Sequence, residues 1–561
     1  MCGIFGVLGS GLSLEELKVV VERCAKKLTH RGPDDFRTFV SPDGWCALGF
    51  TRLAIMDPEH GEQPMVNAAG TVVSMTNGEL YNHEELRLEE LGAATLRSHS
   101  DCEVVAPLYE KYASGPHGEH KLPALRHVFN LLRGVFASVT VDLESGTFVA
   151  ARDPIGIRAM FLGRSDDGAI WFASEAKALM EHCSHVEPFR PGNLFFGSRS
   201  DMGGAKYIPY YAPIFYEHDW QPIAPCDLQR LHDTFKLSVR RRLMSDVPLG
   251  VFISGGLDSS LVASIAKKEL PPGYVFHSFA CGLEGSPDIA AAQKVADYLG
   301  TTHHVLTFTV EEGIAALKDI IYHLETYDVT TIRASTPMYL LSGLCKQHVK
   351  VVLSGEGADE IFGGYLYFHN APNPLELHRE TVRRVQMLYT ADVCRGDRAT
   401  AAQSLELRVP FLDRDFLDVA MSVDPAEKMT KKGKIEKWIM RQAFAEEFCG
   451  KEYLPDAILW RQKEQFSDGV GYNWIDGLKI HCEKSISDKE LEEAAAVFDY
   501  DPPKTKEAYF YRRIFEERFG SSAAVQGLRE GVHPWIPKWS DSTDPSGRAQ
   551  RSHVAAYANG A

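Results

Sequence analysis

From residue 227 onward, helical stretches alternate with short apolar runs, and this alternation constrains the fold more than any other feature of the chain. The pattern predicts a helix over Asp227–Met244, a strand over Val247–Ser254, a helix over Leu257–Glu269 and a strand over Val275–Cys281. A helix over Ile289–Leu299 and strands over His304–Phe308 and Lys350–Ser354 follow. A chain that returns through a helix between strands lays those strands parallel. A parallel sheet is buried on both faces, so helices must cover each side. The second part of the chain is therefore expected to be a parallel-sheet α/β domain, mostly helical beyond about residue 375.

The first third reads differently. Leu14, Leu17, Val20, Val21, Cys24 and Leu28 recur at helical spacing, but strand patterns dominate at Ile4–Leu8, Thr71–Thr76, Val135–Val141, Phe148–Ala151 and Ile170–Ala173. A stretch rich in Gly, Tyr and Pro, from Gly203 to Pro225, places a domain junction near residue 205. At 561 residues, two large domains are expected, residues 2–205 and 206–539. The tail, 540–561, is rich in Ser, Asp, Ala and Gly and reads as loosely ordered.

Charge and cysteine usage narrow the function classes. A formal net charge of −16 argues against general nucleic-acid binding. Anionic substrates would then need local cations or backbone donors against the mean field. The eleven cysteines include no CxxC pair, which points to a reducing compartment and a cytoplasmic location. No apolar run approaches the roughly 18–20 residues that span a bilayer, and no basic segment precedes the first apolar run. His117 with His120 and His182 with His185 have no complementary ligands nearby and read as surface histidines.

Cys2 would become the terminal residue on removal of Met1. A terminal cysteine carries its own base, because a free α-amine titrates near about 7.7–8.0 and accepts the thiol proton directly or through water. Alone, Cys2 reads sooner as a buried structural cysteine or a lipidation site than as a nucleophile. Its companions change the balance: His30–Asp35 (HRGPDD), Arg52-Leu53-Ala54-Ile55-Met56-Asp57, Asn77-Gly78-Glu79-Leu80-Tyr81-Asn82 and Ser100-Asp101-Cys102-Glu103. An amino-acid amide needs a guanidinium for its carboxylate, a carboxylate for its ammonium and donors for the oxyanion formed in acyl transfer. MCGIFG and these segments, in this order, resemble the N-terminal-nucleophile (class II) glutamine amidotransferases.

The resemblance implies a four-layer α/β/β/α domain in which Cys2 is the nucleophile and Arg52 pairs with the glutamine carboxylate. It places Leu53, Ala54, Ile55 and Met56 along the glutamine, makes Asn77 and Gly78 the oxyanion hole, and turns Glu79 and Asp101 toward the α-ammonium. Phe50 departs from some relatives, which have histidine there; the assignments do not depend on it.

A second constellation lies in the α/β half. Ser254-Gly255-Gly256-Leu257-Asp258-Ser259-Ser260 follows a strand and opens a helix. Glycines let backbone N–H groups approach an anion, and the helix N-terminus adds partial positive charge. No Gly-Lys-Ser/Thr follows, so this is not a Walker A loop. A further loop, Ser354-Gly355-Glu356-Gly357-Ala358-Asp359-Glu360, follows the KVVLS strand, and Asp258 and Asp359 are of the type that binds Mg²⁺.

SGGLDSS resembles the pyrophosphate loop of ATP pyrophosphatases. With SGEGADE, TTIRAST at 330–336, LRVPFLD at 407–413 and WRQKEQFSDG at 460–469, it is similar to the glutamine-using asparagine synthetases from Cys2 to about residue 540. That likeness implies adenylation of aspartate by Mg-ATP, with glutamine as nitrogen donor, in a homodimer. It gives Glu356 a part in forming and using the adenylate, gives Arg333 and Lys463 the stabilisation of pyrophosphate, and puts Ile253 and Cys281 against the adenosine. Other class II amidotransferases lack the pair of loops, and a β-lactam-forming relative lacks the terminal cysteine. The remaining alternative is a non-catalytic sensor of glutamine and nucleotide.

Overall fold

The computed structural model describes residues 1–92, 96–114, 121–430, 433–462, 469–471, 473–530, 535–537 and 539. Two six-stranded antiparallel sheets form the N-terminal part. The first runs, edge to edge, through His185–Pro188, Phe161–Arg164, Ile170–Ala173, Gly3–Leu8, Cys46–Arg52 and Asp35–Val40. The second runs through Asp201–Pro209, Asn193–Ser198, Thr147–Arg152, Gly134–Asp142, Val72–Leu80 and Met65–Val66.

Side chains alternate between the faces of a strand, and here the alternation separates three apolar clusters. Ile4, Leu8, Leu48 and Phe50 of the first sheet meet Met75, Val139 and Phe148 of the second, so the sheets pack face to face. The outer face of the first sheet, with Phe5, Val7 and Ala47, is covered by Leu17, Val21 and Cys24 of the helix Leu14–Lys26. The outer face of the second is covered by Leu108, Leu125 and Phe129 of the helices Val105–Ala113 and Lys121–Leu131. The layers are helix, sheet, sheet, helix. The strand Asp201–Pro209 runs through residue 205, because it pairs with Asn193–Ser198 as far as Pro209. The change of domain therefore follows Pro209.

The remainder is built on a parallel sheet in the order Thr302–Thr307, His277–Gly282, Leu249–Phe252, Val351–Leu353, Glu406–Arg408. Its connecting helices have clear sequence causes. Leu257–Glu269 starts from Gly256, and Pro287–Leu299 starts from a Ser286 cap and stops at Gly300 in the left-handed region, with φ +61°. Val310–Leu324 opens with a Thr309–Glu312 capping box. Strand order reverses between Leu249–Phe252 and Val351–Leu353. In open α/β sheets the crevice beyond the strand ends at such a reversal is where ligands bind. Among the described residues no helix is long and apolar enough to cross a membrane.

Candidate functional site

Two sites emerge, one at the mouth of the N-terminal sandwich and one at the switch point of the parallel sheet. In the first, pairing of Gly3 with Thr51 brings Cys2 beside Arg52 and Leu53. The Cys2 thiol lies 3.8 Å from the Leu53 carbonyl, and Arg31 Nε donates to the Cys2 carbonyl at 3.0 Å. The Cys2 backbone N–H donates to Asn77 Oδ1 at 2.8 Å. That bond orients the Asn77 amide, whose Nδ2 is buried without a partner among the described residues. An unsatisfied donor is thus held on the side chain that grips the Cys2 backbone.

Gly78 is required by close approach: a Cβ there would lie 2.0 Å from the Val135 carbonyl oxygen. Arg52 donates through Nη2 to the Met56 and Asp57 carbonyls, at 3.0 and 2.6 Å. The buried run Leu53, Ala54 and Ile55 continues from it, with the Ala54 N–H held by Asp34 at 2.8 Å. Asp101 accepts from the Leu80 N–H at 2.6 Å, and Glu79 faces Arg408 at 3.2 Å. Phe50 is a core residue between the sheets, not part of this site.

Burial sets the protonation of these groups. It pushes the Cys2 thiol up, opposed by the nearby N-terminal ammonium. Glu79 is held well above the usual carboxylate range by burial and by Glu406, against Arg408. Asp101 is pushed up to about 6 by burial, against the Leu80 N–H. Met1 is itself buried, with its ammonium 3.4 Å from Glu406.

The HRGPDD segment has a further use that its residue types alone did not disclose. Arg31, fully buried, bonds Glu175 and Asp397 at 2.8 Å each, joining the two domains. His30 lies 3.0 Å from the same Glu175.

In the second site, Ser254 Oγ lies 3.2 Å from Ser259 Oγ and accepts from the Gly256 N–H at 3.3 Å, so the loop is closed on its own hydroxyls. The two glycine loops press together: a Cβ on Gly355 would lie 2.6 Å from Ser259 N and 2.8 Å from the Asp258 carbonyl carbon. One cleft collects Ile253, Ser254, Gly256, Asp258, Ser259, Cys281, Ser354, Gly355, Glu356 and Asp359. Gly255 and Ser260 stand outside its wall. Gly255, with φ +70°, backs onto Ala291, and Ser260 is fully buried.

The cations that an acidic chain must supply are there. Lys437, Arg395, Arg441 and Arg461 share the cleft, with Asp288 and Asp392 beside them. Lys437 Nζ bonds both Asp258 and Asp359, the latter at 2.6 Å. Arg395 Nη2 donates to Glu356 at 2.5 Å, and Arg461 Nη2 lies 3.2 Å from Asp288. Sequence reading did not single these cations out. Only the WRQKEQ segment around Arg461 carried a signal.

Arg333 is placed elsewhere. Its guanidinium bonds Glu507 at 2.7 and 2.6 Å, in a cleft shared with Lys506 and Arg512. Lys463 lies outside the described residues.

A single strand connects the two sites. Arg408, opposite Glu79, ends Glu406–Arg408, which pairs with Val351–Leu353, and the Ser354 N–H donates to the Arg408 carbonyl at 2.9 Å.

Comparisons with known proteins agree with this two-site layout. A family model for a glutamine amidotransferase domain matches residues 1–191, and one for asparagine synthase matches 230–375 and 371–535. The chain is 48% identical to an asparagine synthetase (glutamine-hydrolyzing) of Asparagus officinalis, over 99% of this chain and 94% of that one. It is also 48% identical to asparagine synthetase 2 (glutamine-hydrolyzing) of Arabidopsis thaliana, over 99% and 96%.

Proposed function

Because the chain belongs to the glutamine-hydrolysing asparagine synthetase family, we propose that it makes L-asparagine from L-aspartate and ATP with nitrogen drawn from glutamine. The observation that carries this reading is the pairing of a thiol site and an anion-cradling cleft through one strand of one sheet.

In the first half-reaction the Cys2 thiolate attacks the side-chain amide carbon of glutamine. The oxyanion takes hydrogen bonds from Asn77 Nδ2 and the Gly78 N–H, ammonia leaves, and water hydrolyses the γ-glutamyl thioester to glutamate. Arg52 clamps the carboxylate of the substrate, lined by Leu53–Met56, while Glu79 and Asp101 take its ammonium. Met1 must be removed for this, because the lone pair of an acylated Cys2 nitrogen is delocalised into the amide carbonyl and cannot take the thiol proton.

In the second, the β-carboxylate of aspartate attacks the α-phosphorus of ATP, and pyrophosphate departs. Ammonia then displaces AMP from β-aspartyl-AMP. Backbone donors of 254–256 and the Ser259 hydroxyl cradle the phosphates, and Glu356, held by Arg395, faces the reacting acyl group. The described cations at hand for the pyrophosphate charge are Lys437, Arg395 and Arg461; Lys463 is proposed to join them, and Arg333 would have to leave Glu507 to do so.

Asp258 and Asp359 fit a divalent ion, since both carboxylates converge on a single cationic group, the Lys437 ammonium. Mg²⁺ held there would neutralise phosphate charge on ATP. The eleven free cysteines suit a reducing cytoplasm, and a homodimer is proposed from the family likeness; light scattering of the purified protein checks it.

Incubation of the protein with aspartate, Mg-ATP and glutamine should yield asparagine, AMP, pyrophosphate and glutamate. ADP and phosphate in their place would reject adenylation. Absence of any product would favour a protein that only binds these ligands.

A further inference from the structure

On the parallel sheet, toward the end opposite the glycine loops, three imidazoles meet. His277 opens the strand His277–Gly282, and His304 lies on the neighbouring strand Thr302–Thr307. His348 belongs to the turn between the helix Val329–Cys345 and the strand Val351–Leu353. In the parallel register His304 lies beside Phe279, which shares a face with His277. His277 Nδ1 is 3.0 Å from His304 Nε2, and the His304 and His348 rings stack with centroids 4.0 Å apart. One nitrogen from each ring lies within 4.8 Å of the other two. None of the three is buried. Phe279, 5.0 Å from the His304 ring, separates the cluster from the nucleotide cleft that it helps to line.

We propose that His277, His304 and His348 form a second metal site, for a borderline divalent transition ion such as Zn²⁺, distinct from the carboxylates of the nucleotide cleft. A tetrahedral ion with bonds of about 2.0–2.1 Å to imidazole nitrogens spaces those nitrogens about 3.3 Å apart, within the range that the rings span. Imidazole nitrogens favour Zn²⁺, Ni²⁺ or Cu²⁺, whereas Mg²⁺ favours oxygen. Solvent supplies the fourth ligand at so open a position. The site ties two adjacent strands to the turn that leads into a third. Its consequence is stabilisation of the sheet on the side away from the chemistry.

The test uses untagged, full-length protein freed of metal by a chelator. Co²⁺ is titrated by visible absorption and Zn²⁺ by calorimetry, without nucleotide. One equivalent should bind, with the intense bands of four-coordinate cobalt. Zn²⁺ but not Mg²⁺ should raise the thermal unfolding midpoint. His348→Asn and His277→Asn should each weaken Zn²⁺ binding at least tenfold and abolish the rise. Asparagine synthesis by His348→Asn in Mg²⁺ alone should match the parent, showing that the variant folds. Equal affinity in both variants would move the ion elsewhere, for instance to His30, Glu175 and His323, and overturn the assignment. So would the absence of saturable binding, which would leave the three rings a plain aromatic stack.

Discussion

The Arg408 guanidinium stands 3.2 Å from the Glu79 carboxylate of the glutamine site, across the boundary between the two domains. The same side chain bonds Glu406 at 2.8 Å and the Arg242 carbonyl at 2.9 Å, while its own carbonyl receives the Ser354 N–H. One residue therefore shapes the charge around bound glutamine and anchors the start of an ATP-site loop.

Arg408→Met should be costly in a measurable way. It leaves Glu79 buried without the guanidinium it faces, while Glu406 keeps Arg158 at 3.1 Å, and removing one partner of a buried pair costs about 3–5 kcal/mol. The urea midpoint should drop accordingly. Arg408→Lys keeps the charge but not the planar fork. It should recover part of the stability while releasing more glutamate per asparagine formed than the parent.

Asp101 supplies a pH prediction. Its folded-state pKa is pushed up to about 6 by burial, with the Leu80 N–H opposing. Below that pH the carboxyl is neutral and has no anion to offer the glutamine ammonium. The kcat/KM for glutamine hydrolysis should therefore fall as pH drops through about 6, reporting the free enzyme. In Asp101→Asn that limb should disappear and activity should be low throughout. A limb that persists unchanged in the variant would assign it to another group.

Much of this was legible because it rests on local rules. The helix Leu257–Glu269 and the strand Ile170–Ala173 have the bounds that apolar spacing predicts. The fifth parallel strand, Glu406–Arg408, was not foreseen as a strand: it has three residues, two of them charged, and an interior edge position revealed only by the fold. The glutamine-site residues sit at strand ends and in the short segments beside them, each a run of a few consecutive residues, so short motifs captured them. The cleft cations come from the helix Asp392–Ala401 (Arg395), from the helix Trp438–Ala443 with its cap (Arg441 and Lys437) and from the loop at Arg461, and only Lys437 and Arg441 are close in sequence. Arg333 shows the converse. The family likeness suggested a phosphate partner, and in this structure Glu507, 174 positions away, takes its guanidinium.

The contact between the two glycine loops predicts a selective lesion. A methyl group at Gly355 meets backbone atoms of Asp258 and Ser259, at 2.8 and 2.6 Å, which no rotamer change relieves. The loops must separate, and displacement of a reacting group by about 1 Å costs on the order of 100-fold in rate. Gly355→Ala should lose asparagine synthesis by at least tenfold with either nitrogen source, while glutaminase activity persists.

Cys2→Ala should do the opposite. Glutamine hydrolysis requires the sulfur, whereas the nucleotide cleft contains no atom of Cys2, so ammonia-supported synthesis should continue near the parental rate and glutamine-supported synthesis should vanish. A second variant separates the thiol from its base. With Met1 retained, the Cys2 nitrogen is an amide that donates to Asn77 and cannot accept a proton, and burial raises the thiol pKa. Protein expressed so that Met1 stays attached, verified by mass spectrometry, should therefore behave as Cys2→Ala does. Full glutaminase activity in that protein would mean that the thiol proton leaves by another route.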